Sequence, residues 1–361
     1  MFEVESGDGK ARTGIFATRH GKIETPFFMP VATKMTAKLV SPDELQSMNI
    51  RAVIANAYLI FLDPGLDVVK KGIHDFMNYN DVIFTDSGGF QMISRGFLVK
   101  TGDDGVMLKS PYNGDKYLLT PESAMEIQQK IKSDVAMCLD DLPFHGTSYD
   151  DVIRSVKNTH DWAERCKSSH KDNKQLLFGI VQGSVFEDLR KKSCKFISSL
   201  DFDGIALGGL AIGETKEQMH KVIRMCINNL PAEKPKYVMG LGSPEDVLKS
   251  IGEGVDIFDS CYPTRCARRS TAFTRSGRLG IERRIFQGDF SPIDKDCDCI
   301  VCQKYTRAYV HHLVRIKEPL GMRLMTLHNL RFMQKLIEDA RTSIKEGCFE
   351  KFRKQFMQGF L

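Results

Sequence analysis

Residues 176–183 read LLFGIVQG, an uncharged apolar run of six residues broken off by the amide of Gln182 and by Gly183. A run this short and uninterrupted suits a parallel strand covered on both faces, since an edge or half-exposed strand would alternate with polar residues. Working outward, seven similar runs stand at 27–32, 52–55, 82–85, 135–139, 204–207, 237–240 and 255–258, rich in β-branched and aromatic side chains. Helix-start signals fall between them. Ser41-Pro42-Asp43-Glu44, Thr120-Pro121-Glu122 and Ser243-Pro244-Glu245 each offer a capping hydroxyl, then proline at the first helical position, then acid in the first turn. Eight strand–helix alternations predict an α/β fold, a (β/α)8 TIM barrel. An open doubly wound sheet is the competing architecture, but no G-x-G-x-x-G follows the first strand.

Two segments fall outside that rhythm. Residues 1–25 alternate polar and apolar around glycine turns, which predicts a small antiparallel sheet ahead of the barrel. Residues 286–330 are cysteine-rich without a period and read as an insertion before a last helix at about 330–345. Phe349, Phe352, Phe356 and Phe360 then mark an amphipathic helix packed on the body. Without a flexible linker or repeat, the 361 residues read as one domain, 1–361. Hydrophobic residues make up 42% and charged residues 27%, enough for a large core and against disorder. No apolar run approaches the ~18 residues of a membrane span, and the acidic start is unlike a signal peptide. The expectation is a cytoplasmic protein with no membrane partner and reduced cysteines.

The net charge of +5 is concentrated. Residues 263–284 hold seven arginines against Glu282, or +6, so the rest of the chain sums to −1. A local arginine field on a near-neutral body suits a phosphate-bearing partner such as RNA, although a solvated charge run would look the same.

If the strands close into a barrel, chemistry belongs at their C-terminal ends. There the runs lead into Asp86, Asp140-Asp141, Gln182, Gly208-Gly209-Leu210, Met239 and Asp259. One such acid can simply cap the next turn; three converging with an amide make a site. Two carboxylates can divide nucleophilic and proton-transfer roles at an oxocarbenium-like carbon. The third, with Gln182 and the glycine pair, can read the edge of a planar heterocycle between Phe90 and Met239, if those two are not merely core. Asp259 lies four residues before the arginine segment opens, which places the reactive carbon in the sugar of a polynucleotide. Separately, Cys297-x-Cys299-x2-Cys302 is three thiols in six residues, the mark of a closed structural zinc site lacking one ligand. His311, His312 and His328 are candidates for it.

These motifs together resemble the tRNA-guanine transglycosylases, with TPFFMPVAT at 25–33, DSGGFQ at 86–91, SDVAMCLDD at 133–141, GIVQGS at 179–184, GGLAIGE at 208–214, YVMGLG at 237–242 and FDSCYPTRCAR at 258–268. The resemblance implies Asp259 as the nucleophile at ribose C1′ and Asp86 as general acid/base. It implies Asp140, Gln182 and Gly209 bonding the base, Phe90 and Met239 stacking on it, and Glu214 with the Leu210 carbonyl near its substituent. Arg265 and Arg268 are implied contacts to the anticodon, and Cys297, Cys299, Cys302 and His328 ligands of structural Zn2+. The implied partners are tRNA with a GUN anticodon, a 7-deazaguanine base and a second copy of the chain in a homodimer. The chain departs from the family pattern in two places. Asn56-Ala57-Tyr58-Leu59-Ile60 replaces N-T-Y-H-L, and Phe90 stands where bacterial members carry Tyr. Ile212 resembles the bacterial form, a branched wall that favours preQ1, with preQ0 next, over queuine. Two other readings are a barrel hydrolase of free nucleobases, which lacks the expected His pair within 27–33, and a zinc-stabilised, non-catalytic RNA-binding subunit, which would not need Asp86 and Asp259.

Overall fold

The computed structural model describes residues 2–88 and 97–360. Strands β1 (Phe2–Asp8), β2 (Ala11–Thr18) and β3 (Gly21–Thr25) form the expected antiparallel sheet. There follow β4 (Phe27–Pro30), β5 (Ala52–Asn56), β6 (Val82–Asp86), a three-stranded antiparallel sheet β7–β9 (Leu98–Gly102, Gly105–Lys109, Lys116–Leu119), then β10 (Val135–Met137), β11 (Leu176–Val181), β12 (Gly204–Leu207), β13 (Lys236–Val238) and β14 (Ile257–Ser260). The eight-stranded sheet runs β4-β14-β13-β12-β11-β10-β6-β5. A parallel bridge from Val31 to Ile54, with the Ala32 amide donating to the Ile54 carbonyl at 2.7 Å, joins its two ends into a barrel. All eight sequence-predicted strands are present, with ends shifted by up to about two residues.

The barrel interior follows the two-residue period of a strand. Phe27 and Met29, Ala52 and Ile54, Val82 and Phe84, Val135 and Met137, Phe178 and Ile180, Ala206, Tyr237 and Ile257 pack into one buried cluster. Phe16 from β2 enters it from below, its ring 5.9 Å from those of Phe84 and Phe178 and 6.1 Å from that of Phe27. The N-terminal sheet therefore stoppers the end of the barrel away from the strand C-termini.

The three predicted helix starts are built as read. Ser41 and Thr120 make capping boxes and the Ser243 hydroxyl accepts from the Asp246 amide, each with Pro next. The last long helix, Pro319–Lys345, begins well before the expected position near 330, so His328 lies within it and not in a loop. Glu318-Pro319 is itself a start signal, and the helix's many buried residues include Leu324, Met325 and Leu327. The terminal helix Phe349–Phe360 buries Phe349, Phe356 and Phe360 as predicted. A hairpin, β15 (Thr271–Thr274) and β16 (Gly277–Gly280), lies between the helix Tyr262–Arg268 and the cysteine-rich segment. Among the described residues no helix is long and apolar enough to cross a membrane.

Candidate active site

Continuing the interior period one step past each apolar residue gives Asn56 after Ile54, Asp86 after Phe84, Gln182 after Ile180, Gly208 after Ala206, Met239 after Tyr237 and Asp259 after Ile257. The strand geometry itself therefore turns these groups into the C-terminal mouth. Around the closed sheet, β4 and β5 separate Asp259 on β14 from Asp86 on β6 on one side, and four strands separate them on the other. The two acids stand at the same opening, near enough for the Asp259 charge to act on Asp86.

Asp259 is buried, and Oδ1 accepts from the Tyr237 hydroxyl at 2.5 Å and from the Gly240 amide at 2.8 Å. Burial raises its pKa, and these two donors oppose the rise. Burial and the Asp259 charge hold the Tyr237 phenol far above its ordinary value, so it stays a donor. No hydrogen bond reaches Asp259 Oδ2 among the described residues. Asp86 is pushed up to about 8, first by burial and then by the negative charge of Asp259, with Asp140 adding to it. Its Oδ1 is buried without a hydrogen-bond partner among the described residues. So is Nδ2 of Asn56, which pairs in register with Asp86 on the adjacent strand. Orphaned buried polar atoms cost about 1–3 kcal/mol each, and two at one mouth mark a place that a ligand completes.

Asp140 after β10 and Gln182 directly after β11 continue the wall beside Asp86. Gln182 Nε2 donates to Asp140 Oδ2 at 2.6 Å, while Gln182 Oε1 is buried and has no partner among the described residues. Burial lifts the Asp140 carboxyl to about 6 against the lowering effect of Gln182. The glycines beside them leave room for no side chain: a Cβ on Gly208 would stand 2.5 Å from Gln182 Nε2, and one on Gly209 (φ +66°) 2.5 Å from Gln182 Oε1. Leu210 is buried next in line. Glu214 folds back on the same loop, accepting from the Ala211 amide at 2.5 Å and the Ile212 amide at 3.1 Å. Met239 packs on the top of the barrel interior. Phe90 lies outside the described residues.

After β14 the chain enters the helix Tyr262–Arg268. Arg265 is exposed, its guanidinium 5.9 Å from the Tyr262 ring centre. Arg268 is half-buried, with Nη1 buried and without a partner among the described residues. The arginine field is smaller than its sequence, because Arg275 is paired with Asp339 at 2.7 Å and Arg278 with Glu245 at 2.6 Å. Arg265, Arg268, Arg269, Arg283 and Arg284 have no ion pair among the described residues and remain for an anion.

The Sγ atoms of Cys297, Cys299 and Cys302 stand 3.7, 3.5 and 3.3 Å from Nδ1 of His328. The four could hold a metal ion. His328 Nε2 contacts the Phe273 carbonyl at 2.7 Å, which fixes the tautomer and leaves Nδ1 free to ligate. His311 instead contacts the Ile281 carbonyl. The neighbouring Asn329 donates to the carbonyls of Pro263 and Thr271, tying this lobe to the helix that carries Arg265 and Arg268. A second group, His20, His74 and Asp134, sits at the stoppered end, where the ring nitrogens lie 2.7 and 2.9 Å from the two carboxylate oxygens with Arg19 3.9 Å from one of them. Those are hydrogen-bond lengths, and the guanidinium already balances the acid.

Tyr237, Asn56 and Arg190 were not singled out in the sequence. The first two shared the interior phase of Met239 and Asp86 and could have been found by it. Arg190, in the run EDLRKKSCK, looks like any solvent-facing helix charge, yet its side chain is wholly buried.

A family model described as queuine tRNA-ribosyltransferase matches residues 8–360. Among curated proteins, the queuine tRNA-ribosyltransferase of Bacillus subtilis is 46% identical over 353 residues, covering 97% of this chain and 93% of the relative. That of Halothermothrix orenii is 43% identical, with 98% and 95% covered, and that of Fusobacterium nucleatum 43%, with 99% and 98%.

Proposed function

Because this chain belongs to the queuine tRNA-ribosyltransferase family, we propose that Asp259 and Asp86 exchange guanine at the wobble position of a GUN anticodon for a 7-deazaguanine through a covalent RNA–enzyme ester. The enzyme is a pentosyltransferase acting on tRNA. The coupling of Asp86 to Asp259 supports this division of labour above all. With Asp259 ionised, Asp86 keeps its proton at neutral pH, since its pKa of about 8 is raised partly by that neighbouring charge. Asp259 attacks C1′, the C1′–N9 bond breaks, and the departing guanine takes the Asp86 proton. Ester formation removes the Asp259 charge just as Asp86 becomes anionic, so the site never carries both charges at once. The incoming base then loses its proton to Asp86, its nitrogen attacks C1′, and the Asp259 carboxylate is released. Bond energy stays in the ester, and no other co-reactant is needed.

Asp140, Gln182 and Gly209 would bond the base edge, their orphaned acceptor and tight glycine backbone suiting a flat polar ring, with Met239 and Phe90 on its faces. The Leu210 carbonyl and Glu214 would stand near a substituent at the 7-position. Half-buried Ile212 narrows that wall, which favours preQ1. Arg265 and Arg268 would grip the anticodon phosphates and bases. Zinc suits the Cys3His group: bonds of about 2.3 Å to sulfur and 2.0–2.1 Å to nitrogen in a tetrahedron give S–N edges of about 3.5 Å, close to the 3.3–3.7 Å present. It would hold residues 286–330 folded and supply no chemistry. We further read the enzyme as a cytoplasmic homodimer in which one subunit steadies RNA for the other.

Incubating the enzyme with radiolabelled guanine and unmodified tRNA tests this reading. Label should enter tRNA, and Asp259→Ala should abolish both exchange and a denaturation-resistant protein–RNA adduct. An adduct surviving in that variant would reassign the nucleophile.

A further inference from the structure

Arg190 projects from the helix Glu187–Ser199 and is 0% exposed. No carboxylate lies within ion-pair distance among the described residues; Glu214 is the acid whose field reaches it. A buried, unpaired guanidinium is costly, and here each of its three nitrogens donates to a backbone carbonyl. Nε donates to the Ser184 carbonyl at 2.8 Å, Nη1 to that of Val181 at 2.9 Å, and Nη2 to that of Gly209 at 3.3 Å. The first two carbonyls flank Gln182-Gly183, and the third belongs to the glycine whose absent side chain makes room for Gln182. One rigid fork thus spans β11 and the loop after β12, the two segments that carry the proposed base-reading wall.

We propose that Arg190 is a positioning residue for the base pocket: its planar guanidinium sets the spacing between Gln182 and Gly209, and so the fit of guanine and of its 7-deaza replacement. The inference rests on the reading of Gln182 and Gly209 as base contacts. Lysine keeps the charge but offers a point of donors in place of a fork, and cannot hold three divergent carbonyls at once. Methionine keeps the length and offers none.

The test compares Arg190→Lys, Arg190→Met, Gln182→Ala and the double variants in steady-state guanine exchange, with thermal midpoints recorded for each. Misplacement of the wall should raise KM for the base by about tenfold or more while KM for tRNA stays within about twofold, with lysine milder than methionine. The Arg190 and Gln182 effects should be less than additive, since one acts through the other. Equal changes in both KM values, full additivity, or loss of fold in both Arg190 variants would make the residue merely structural and overturn the inference. If Gln182→Ala leaves the base KM unchanged, the base-wall reading falls first and takes the inference with it.

Discussion

Replacing Asp86 by Asn should abolish exchange yet make the protein more stable, increasingly so as pH rises. Asp86 is pushed up to about 8 in the folded chain from an ordinary value of 3.8. Between those limits the unfolded chain binds fewer protons at this position than the folded one. The folded state therefore loses stability as pH rises through the window, by up to 1.36 kcal/mol per pH unit. Integrated to neutrality, the ionisable group destabilises the fold by about 4 kcal/mol relative to a neutral isostere, and by about 5 kcal/mol at pH 8. At pH 5 the same term is only about 1–2 kcal/mol. The measurement is the urea midpoint of wild type and Asp86→Asn at pH 5 and pH 8, with exchange assayed alongside. The stability gap should widen by about 3 kcal/mol over that range. Asp140 and Asp259 are shifted in the same direction and remain in both proteins, so the difference reports Asp86 together with its coupling to those two acids. Parallel curves would mean that Asp86 ionises normally, and the proton-holding role would then have no basis.

Other outcomes follow from the same geometry. Arg268→Ala should weaken tRNA binding and reduce the slope of log affinity against log salt by about 1, as one phosphate contact is lost; an unchanged slope in a filter-binding series would move the RNA surface elsewhere. Stripping the metal with a chelator should open residues 286–330 to protease before it touches the barrel, so loss of exchange with an unaltered digestion pattern would contradict a purely structural ion. Ile212→Gly should let the enzyme accept queuine in competition with preQ1; continued rejection would place the size limit at another residue.

Much of this architecture could be read in the chain because a parallel barrel imposes the same local pattern eight times. Runs such as 82–85 and 255–258 needed no partner to be recognised, and each acid followed its run directly. The Cys3His group was equally local in its three thiols, though the choice of His328 came from resemblance, since a helix starting at Pro319 delivers that histidine from a distance. What escaped depended on long-range pairing or burial. Arg275 and Arg278 count as free cations until Asp339 and Glu245, 64 and 33 positions away, arrive beside them. The sheet β7–β9 interrupts the alternation after β6; Asp104-Gly105 at its first turn was a hairpin signal that the barrel pattern overshadowed. Tyr237 looked like core because it is core; only the register reveals that its hydroxyl ends at Asp259.

The aromatic stopper built by Phe16 has a consequence for traffic. With the lower end of the barrel sealed by rings among the described residues, the upper mouth is the doorway, and in the proposed reaction RNA would stand in it during the ester stage. The expelled purine and its replacement would then both have to pass the tethered strand, one after the other, and turnover would become a matter of queueing as much as of bond making. Any loosening of the anticodon's grip that eases this passage also shortens the time the RNA stays in place to receive its new base.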